Sequence, residues 1–127
     1  NYFKKFASRV AKQKKKLISF LKKIKKNKQN ICALGASTKG NVILQYCGIN
    51  LKHLDCIAEI NPDKFNRLTP GSNIPIVSED EAKNLKPDYM LVLPWHFKDN
   101  IIQREKKYLN NGGKLIFPLP EIEIISY

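Results

Sequence analysis

Six residues bounded by glycines, Gly35-Ala36-Ser37-Thr38-Lys39-Gly40, follow a short apolar run and open a helical one. Glycines let a backbone turn sharply and approach an anion, and a helix N-terminus adds free N–H groups and a partial positive charge. The chemistry this suits is the cradling of a phosphate. Two familiar versions do not fit. Asn41-Val42 stands where a magnesium-nucleotide loop needs Lys-Ser/Thr, and Ser37 takes the place of the middle glycine of a dinucleotide fingerprint. Glu59, 24 residues past Gly35, lies near where such folds place a ribose-binding acid. A tight strand-to-helix turn with no ligand would account for the same residues. Lys39, in the first helical turn, opposes the helix dipole, so either an anion partner or open solvent explains it. His96, between Trp95 and Phe97, suits either substrate contact or a satisfied, half-buried histidine, while His53 sits in a connector and is expected at the surface. No nucleophile triad, acid–base carboxylate pair or metal-ligand cluster stands out, so no catalytic or metal residue is assigned.

The elements around these residues follow from periodicity. From Tyr2 to Lys26, Phe3, Val10, Leu17 and Ile24 recur every seven positions, widened by Phe6, Phe20 and Leu21, which predicts an amphipathic helix. Ile31 to Leu34 reads as a buried parallel strand. Val42, Ile43, Tyr46 and Cys47 fit one face of the next helix, which Gly48 stops. Strands follow at about 54–60 and at 74–77, the latter near an edge because of Pro75. Between them, residues 61–73 are dense in turn formers and read as a long functional or connecting loop. Ser78 with Glu81 forms a capping box. Tyr89 to Leu93 is a fourth strand, and Asp99 or Asn100 is expected to cap a helix running through Tyr108. Lys114 to Phe117 and an alternating edge segment, Glu121 to Ile125, complete the sheet. Alternating strands and helices imply a Rossmann-like three-layer α/β domain with a mostly parallel five- or six-stranded sheet. The order 3-2-1-4-5 would bring the Gly35–Gly40 turn beside Pro94-Trp95-His96-Phe97, where ligands bind in such sheets.

At 127 residues the chain is one domain. It has no apolar run of about 20 residues, which excludes a membrane-spanning helix. The absence of an initial methionine suggests a piece of a longer protein. The three cysteines match no zinc spacing and are expected as reduced, buried thiols of a cytoplasmic protein. The net charge of +12 is lopsided: 12 of the 23 basic residues lie between Lys4 and Lys28, and no acid precedes Asp55. Residues 1–28 are therefore set apart as a basic amphipathic linker helix, with residues 29–127 as the Rossmann-like domain. A nucleic-acid or partner-binding module using that helix is the alternative from charge. A dinucleotide-sensing domain is a third reading, which Ser37 disfavours.

GASTKGN, INPDKFNRLTPGSNIPI, KPDYMLVLPWHFKDNI and GGKLIFPLP, in that order from about Ile31 to Pro120, resemble the C-terminal domain of S-adenosylmethionine-dependent sugar C-methyltransferases. The resemblance implies a three-part enzyme: a zinc-binding N-terminal domain, a central methyltransferase domain and this Rossmann-like domain. Its substrate would be a nucleotide-linked keto-deoxysugar, methylated on the carbon beside the ketone. That chemistry needs a base and the cofactor in one site, which in the family is the upstream central domain. S-adenosylmethionine is accordingly not expected to bind here, and the isolated piece should be inactive. By the same resemblance Gly35, Ala36, Ser37, Thr38, Lys39, Gly40 and Asn41 would face the phosphates or sugar. Glu59 and Asn61 would stand near them, and Trp95, His96 and Phe97 would line the neighbouring crevice. The chain departs from the family in Glu59-Ile60 before Asn61-Pro62, where an aspartate is usual, and in its lysine-rich first helix. The implied partners are the nucleotide-sugar and the upstream domain, with nucleic acid disfavoured and no membrane.

Overall fold

Ile31–Leu34 forms β1, a strand whose four side chains are all buried. It pairs in parallel with β2 (Ile57–Glu59) on one side and with β4 (Tyr89–Val92) on the other. The computed structural model describes residues 2–36 and 38–127, without the side chains of Phe3, Phe6, Thr38 and Lys39. β3 (Ile76–Ser78) extends the sheet beyond β2, β5 (Lys114–Phe117) extends it beyond β4, and β6 (Glu123–Ile125) closes it antiparallel to β5. The order β3-β2-β1-β4-β5-β6 is the one anticipated, with β3 and β6 at the edges. Pro75 precedes β3 as expected for an edge, and its carbonyl accepts the Ile57 N–H at 2.9 Å.

Alternation along the strands sorts side chains into two cores. Ile31, Ala33, Leu91 and Ile116 face α1 (Tyr2–Lys26) and α2 (Thr38–Cys47). Cys32, Leu34, Met90, Val92 and Phe117 face α3 (Glu79–Asn84), α4 (Lys98–Arg104) and α5 (Lys106–Asn110). The second half of α1 belongs to the first core: Leu17, Leu21 and Ile24 are buried there beside Leu44 and Cys47. No helix among the described residues is long and apolar enough to cross a membrane.

Several local expectations are revised. The buried face of α2 is Leu44 and Cys47, with Ile43 partly covered, whereas Val42 and Tyr46 are 59% and 50% exposed because α1 stands off from them. The helix expected through Tyr108 is two helices. α4 starts at Lys98, directly after a 3-10 turn at Trp95–Phe97, with no side-chain cap from Asp99 or Asn100. The break falls at Glu105, whose fully buried carboxylate pairs with Lys83 of α3 at 3.1 Å. Past α5, Gly113 packs under Tyr108: a Cβ there would lie 2.3 Å from the ring. The Tyr108 hydroxyl is tied to the Pro87 carbonyl at 2.8 Å. Ser78 does cap α3, accepting the Glu81 N–H at 3.1 Å. Cys32, Cys47 and Cys56 are free, buried thiols, and Cys56 donates to Cys32 across β1 and β2 at 3.4 Å.

His53 is the largest surprise among the polar residues. It is only 6% exposed, and its Nδ1 accepts the Asn50 N–H at 3.2 Å within the connector's own turn. Burial, reinforced by Lys22 and Lys52, holds its pKa below the ordinary 6.5. The folded state thus keeps His53 neutral while the unfolded chain binds a proton, so stability is full above pH 6.5 and declines as pH falls below it. Urea titrations from pH 7.5 to 5 should show that decline, and His53→Gln should flatten it. In the same assay Leu21→Ala should cost about 2–5 kcal/mol, the usual range for emptying a fully buried leucine site. A loss below 0.5 kcal/mol, the usual bound for a surface change, would show that α1 is not part of this core.

Candidate functional site

At the carboxyl end of β1 the chain turns at Gly35, whose φ of +88° lies in the left-handed region that favours glycine. Its N–H donates to the Ala58 carbonyl at 2.8 Å, tying the turn to β2. On the other side Pro94 closes in, and a Cβ on Gly35 would lie 2.9 Å from the proline Cδ. The convergence of this turn with the segment after β4 is therefore real.

Ala36 is held by both its backbone groups. Its N–H donates to Glu59 Oε2 at 2.7 Å, and its carbonyl accepts from Lys64 Nζ at 2.6 Å. The other Glu59 oxygen accepts the Asn61 N–H at 3.2 Å, and the Asn61 side chain accepts from the Asp63 N–H, capping a 3-10 turn at Pro62–Lys64. The acid at the end of β2 thus occupies a backbone donor that a phosphate turn would offer. Ser37 lies outside the described residues. Thr38, Lys39, Gly40 and Asn41 form the first turn of α2, with Gly40 buried.

A cleft of about 430 Å³ opens between this first turn and the crossover from β2 to β3. Ala36, Asn41, Lys64, Arg67 and Thr69 supply its polar lining, over a floor of Leu44, Ile57, Ile76 and Leu93. The crossover is braced rather than loose. Gln45 Nε2 donates to the Pro70 carbonyl at 2.8 Å, and Ile76 N–H to the Arg67 carbonyl at 2.8 Å. Thr69 Oγ1 contacts the Ser72 hydroxyl and accepts the Ile74 N–H at 2.9 Å. Asn41 Oδ1 is buried with no hydrogen-bond partner among the described residues.

A second groove, about 860 Å³, runs between α1 and α2 towards residues 118–121. Val10, Gln13, Val42 and Tyr46 form its walls, Trp95 stands at one end, and Lys14 lies over the Tyr46 ring at 5.1 Å. Of the residues singled out above, Ala36 and Asn41 meet in the cleft, and Trp95 lies in the groove. Glu59 and Asn61 clamp the turn. His96 and Phe97 are exposed, with their rings tilted together at 4.3 Å and Trp95 edge-on to His96 at 5.6 Å, and they line neither cavity. Lys64, Arg67 and Thr69 were not anticipated as site residues. Their only sequence signal was two cations within a turn-rich stretch that follows the second strand. Among the described residues no group of His, Cys, Asp or Glu could hold a metal.

Gly35→Ala should lower stability by about 1–3 kcal/mol, from the strained φ and the Pro94 contact together. Amide shifts should spread to residues 94–97; shifts confined to the immediate neighbours of residue 35 would contradict the packing described.

The family model for the C-methyltransferase C-terminal domain matches residues 1–120. C-methyltransferase NovU from Streptomyces niveus is 38% identical over 98 residues, which is 77% of this chain and 23% of NovU. The chain thus spans less than a quarter of the length of that relative. With the matched stretch running from α1 through β5, the chain belongs to the family of C-methyltransferase C-terminal domains.

Proposed function

We propose that this domain, residues 29–127 with the basic helix of residues 1–28 leading into it, is the substrate-holding part of a C-methyltransferase. The enzyme would use S-adenosylmethionine to methylate a nucleotide-linked keto-deoxysugar in the cytoplasm. The observation that carries the reading is the cleft beside the β1–α2 turn. It has the size of a small-molecule site, an apolar floor for a flat ring and polar groups at its rim. It also lies beside the carboxyl end of β1, where open α/β sheets bind ligands. Family membership supports the methyl-transfer side of the proposal.

The residues present do not suit S-adenosylmethionine itself. A cofactor ribose in such a fold would call on the acid ending β2, and Glu59 already engages Ala36 and Asn61. Pro94 packs against Gly35 and leaves no room for a closer approach to the turn. The same two features disfavour a dinucleotide. The transfer chemistry is therefore assigned to an upstream methyltransferase domain of the same longer chain, and this piece alone should be inactive. Its own work is to bind and orient the sugar nucleotide.

Calorimetric titration tests this directly. A thymidine diphosphate-linked 4-keto-deoxysugar should bind saturably, whereas S-adenosylmethionine and NAD should produce no saturable heat. Saturable S-adenosylmethionine binding would overturn the division of labour, and NAD binding would favour a dinucleotide-sensing role.

A further inference from the structure

Four cations, Arg9, Lys12, Lys14 and Lys16, stand along the groove between α1 and α2, and none is ion-paired among the described residues. The chain offers them little neutralisation. No acid precedes Asp55, and Glu121, the acid that lines the groove, pairs with none of the four. Like charges three and four residues apart on a helix repel, so an anionic cover would stabilise this face. Between the cations the walls are apolar. Val42 and Tyr46, one turn apart on α2, are half or more exposed, and Val10 of α1 lines the same groove. Grouped apolar side chains of this kind mark a surface that a partner covers. Gln13 Oε1 adds a third demand, as a buried acceptor with no donor among the described residues.

The groove follows α1 from Tyr2 to Leu17, about 22 Å at 1.5 Å per residue. That is the length of a four-turn helix, and a trough between two helices is the shape a third helix fills. A second copy of this chain does not answer the charge. A two-fold contact would set each basic groove against its own image. From residue 29 onward the chain carries eleven basic and eleven acidic side chains, so the rest of its surface has no acidic excess to offer. A larger body of protein is implied by the relative, of which the matched 98 residues are only 23%. We propose that the groove seats an acidic amphipathic helix of the upstream methyltransferase domain in the same longer chain. Its carboxylates meet the four cations, its apolar side lies on Val10, Val42 and Tyr46, and it brings a donor to Gln13. Covalent linkage keeps the effective concentration high, so weak contacts suffice. The groove and the cleft share no lining residue, and α2 stands between them with Asn41 and Leu44 on one and Val42 and Tyr46 on the other. Docking there sets the methyltransferase domain one helix away from the substrate. The inference rests on the proposed function for the existence of that domain, and on the groove alone for the place.

The test treats the full-length protein with a carbodiimide, which joins a lysine amine to a carboxylate it touches, and reads the links by mass spectrometry. Lys12, Lys14 or Lys16 should be joined to Asp or Glu outside residues 1–127, within one chain, with a yield unchanged on dilution. Val42→Asp sets a charge on the apolar wall against the incoming carboxylates and should cut that yield about fivefold or more. Leu85→Asp, an equally exposed apolar position beside α3, should leave it within about twofold, as a surface change elsewhere does. Equal losses in the two variants would overturn the groove as the seat. Links that fade on dilution would replace the upstream domain by a second copy, and links confined to acids within residues 1–127 would overturn the docking. These results leave the substrate reading standing, because sugar-nucleotide binding is measured separately. Saturable S-adenosylmethionine binding by residues 1–127 would overturn both.

Discussion

The central strand β1 is the constraint on which the molecule depends. It lies between two parallel neighbours, with Ile31 and Ala33 in one core and Cys32 and Leu34 in the other. Register with β4 runs from Ile31–Tyr89 to Leu34–Val92, and the Leu93 N–H extends it by donating to the Leu34 carbonyl at 3.1 Å. That last bond brings Pro94 against Gly35. A one-residue slip would exchange the two cores and pull the turn away from its neighbours at once. The geometry of the binding edge is therefore set by packing within the sheet, well before any ligand arrives.

From the end of β1, control passes to Ala36. A carboxylate holds its N–H and an ammonium holds its carbonyl, so the turn is fixed by charged groups from β2 and the turn after it. Such bonds are stronger than neutral ones, and they leave the turn rigid. They also change what the turn can do. An anion arriving there would meet the Glu59 carboxylate, whereas one arriving in the cleft meets Lys64 and Arg67. The chain keeps the Rossmann-like scaffold but shifts the attractive charge sideways, from the glycine turn to the crossover.

The first helix joins these two levels. Its 25 residues measure about 37 Å, against roughly 13 Å for a four-residue strand, so it outruns the sheet. Its second half is core, through Leu17, Leu21 and Ile24, and Lys25 ties its end to Asp55 at 3.4 Å. Its first half overhangs and forms one wall of the groove that reaches Trp95. One amphipathic pattern thus serves both stability and surface shape. The lysines that dominate the charge cover the outer face, which agrees with a solvated helix as readily as with an anionic partner.

The sequence by itself determined the elements, the strand order, the glycine turn and its neighbour after β4, because periodicity and turn chemistry are properties of adjacent residues. It also marked the turn-rich crossover without showing what the crossover carries. Only the tertiary structure decided that Glu59 reaches back 23 residues to Ala36 and Lys64 reaches 28. It likewise buried His53, broke the last long helix at Glu105, and left His96 and Phe97 outside the groove that Trp95 lines. These outcomes depend on where a crossover lies over a helix and which side chain reaches a distant backbone group. Such distances are fixed by packing across the sheet and leave no local pattern in the chain.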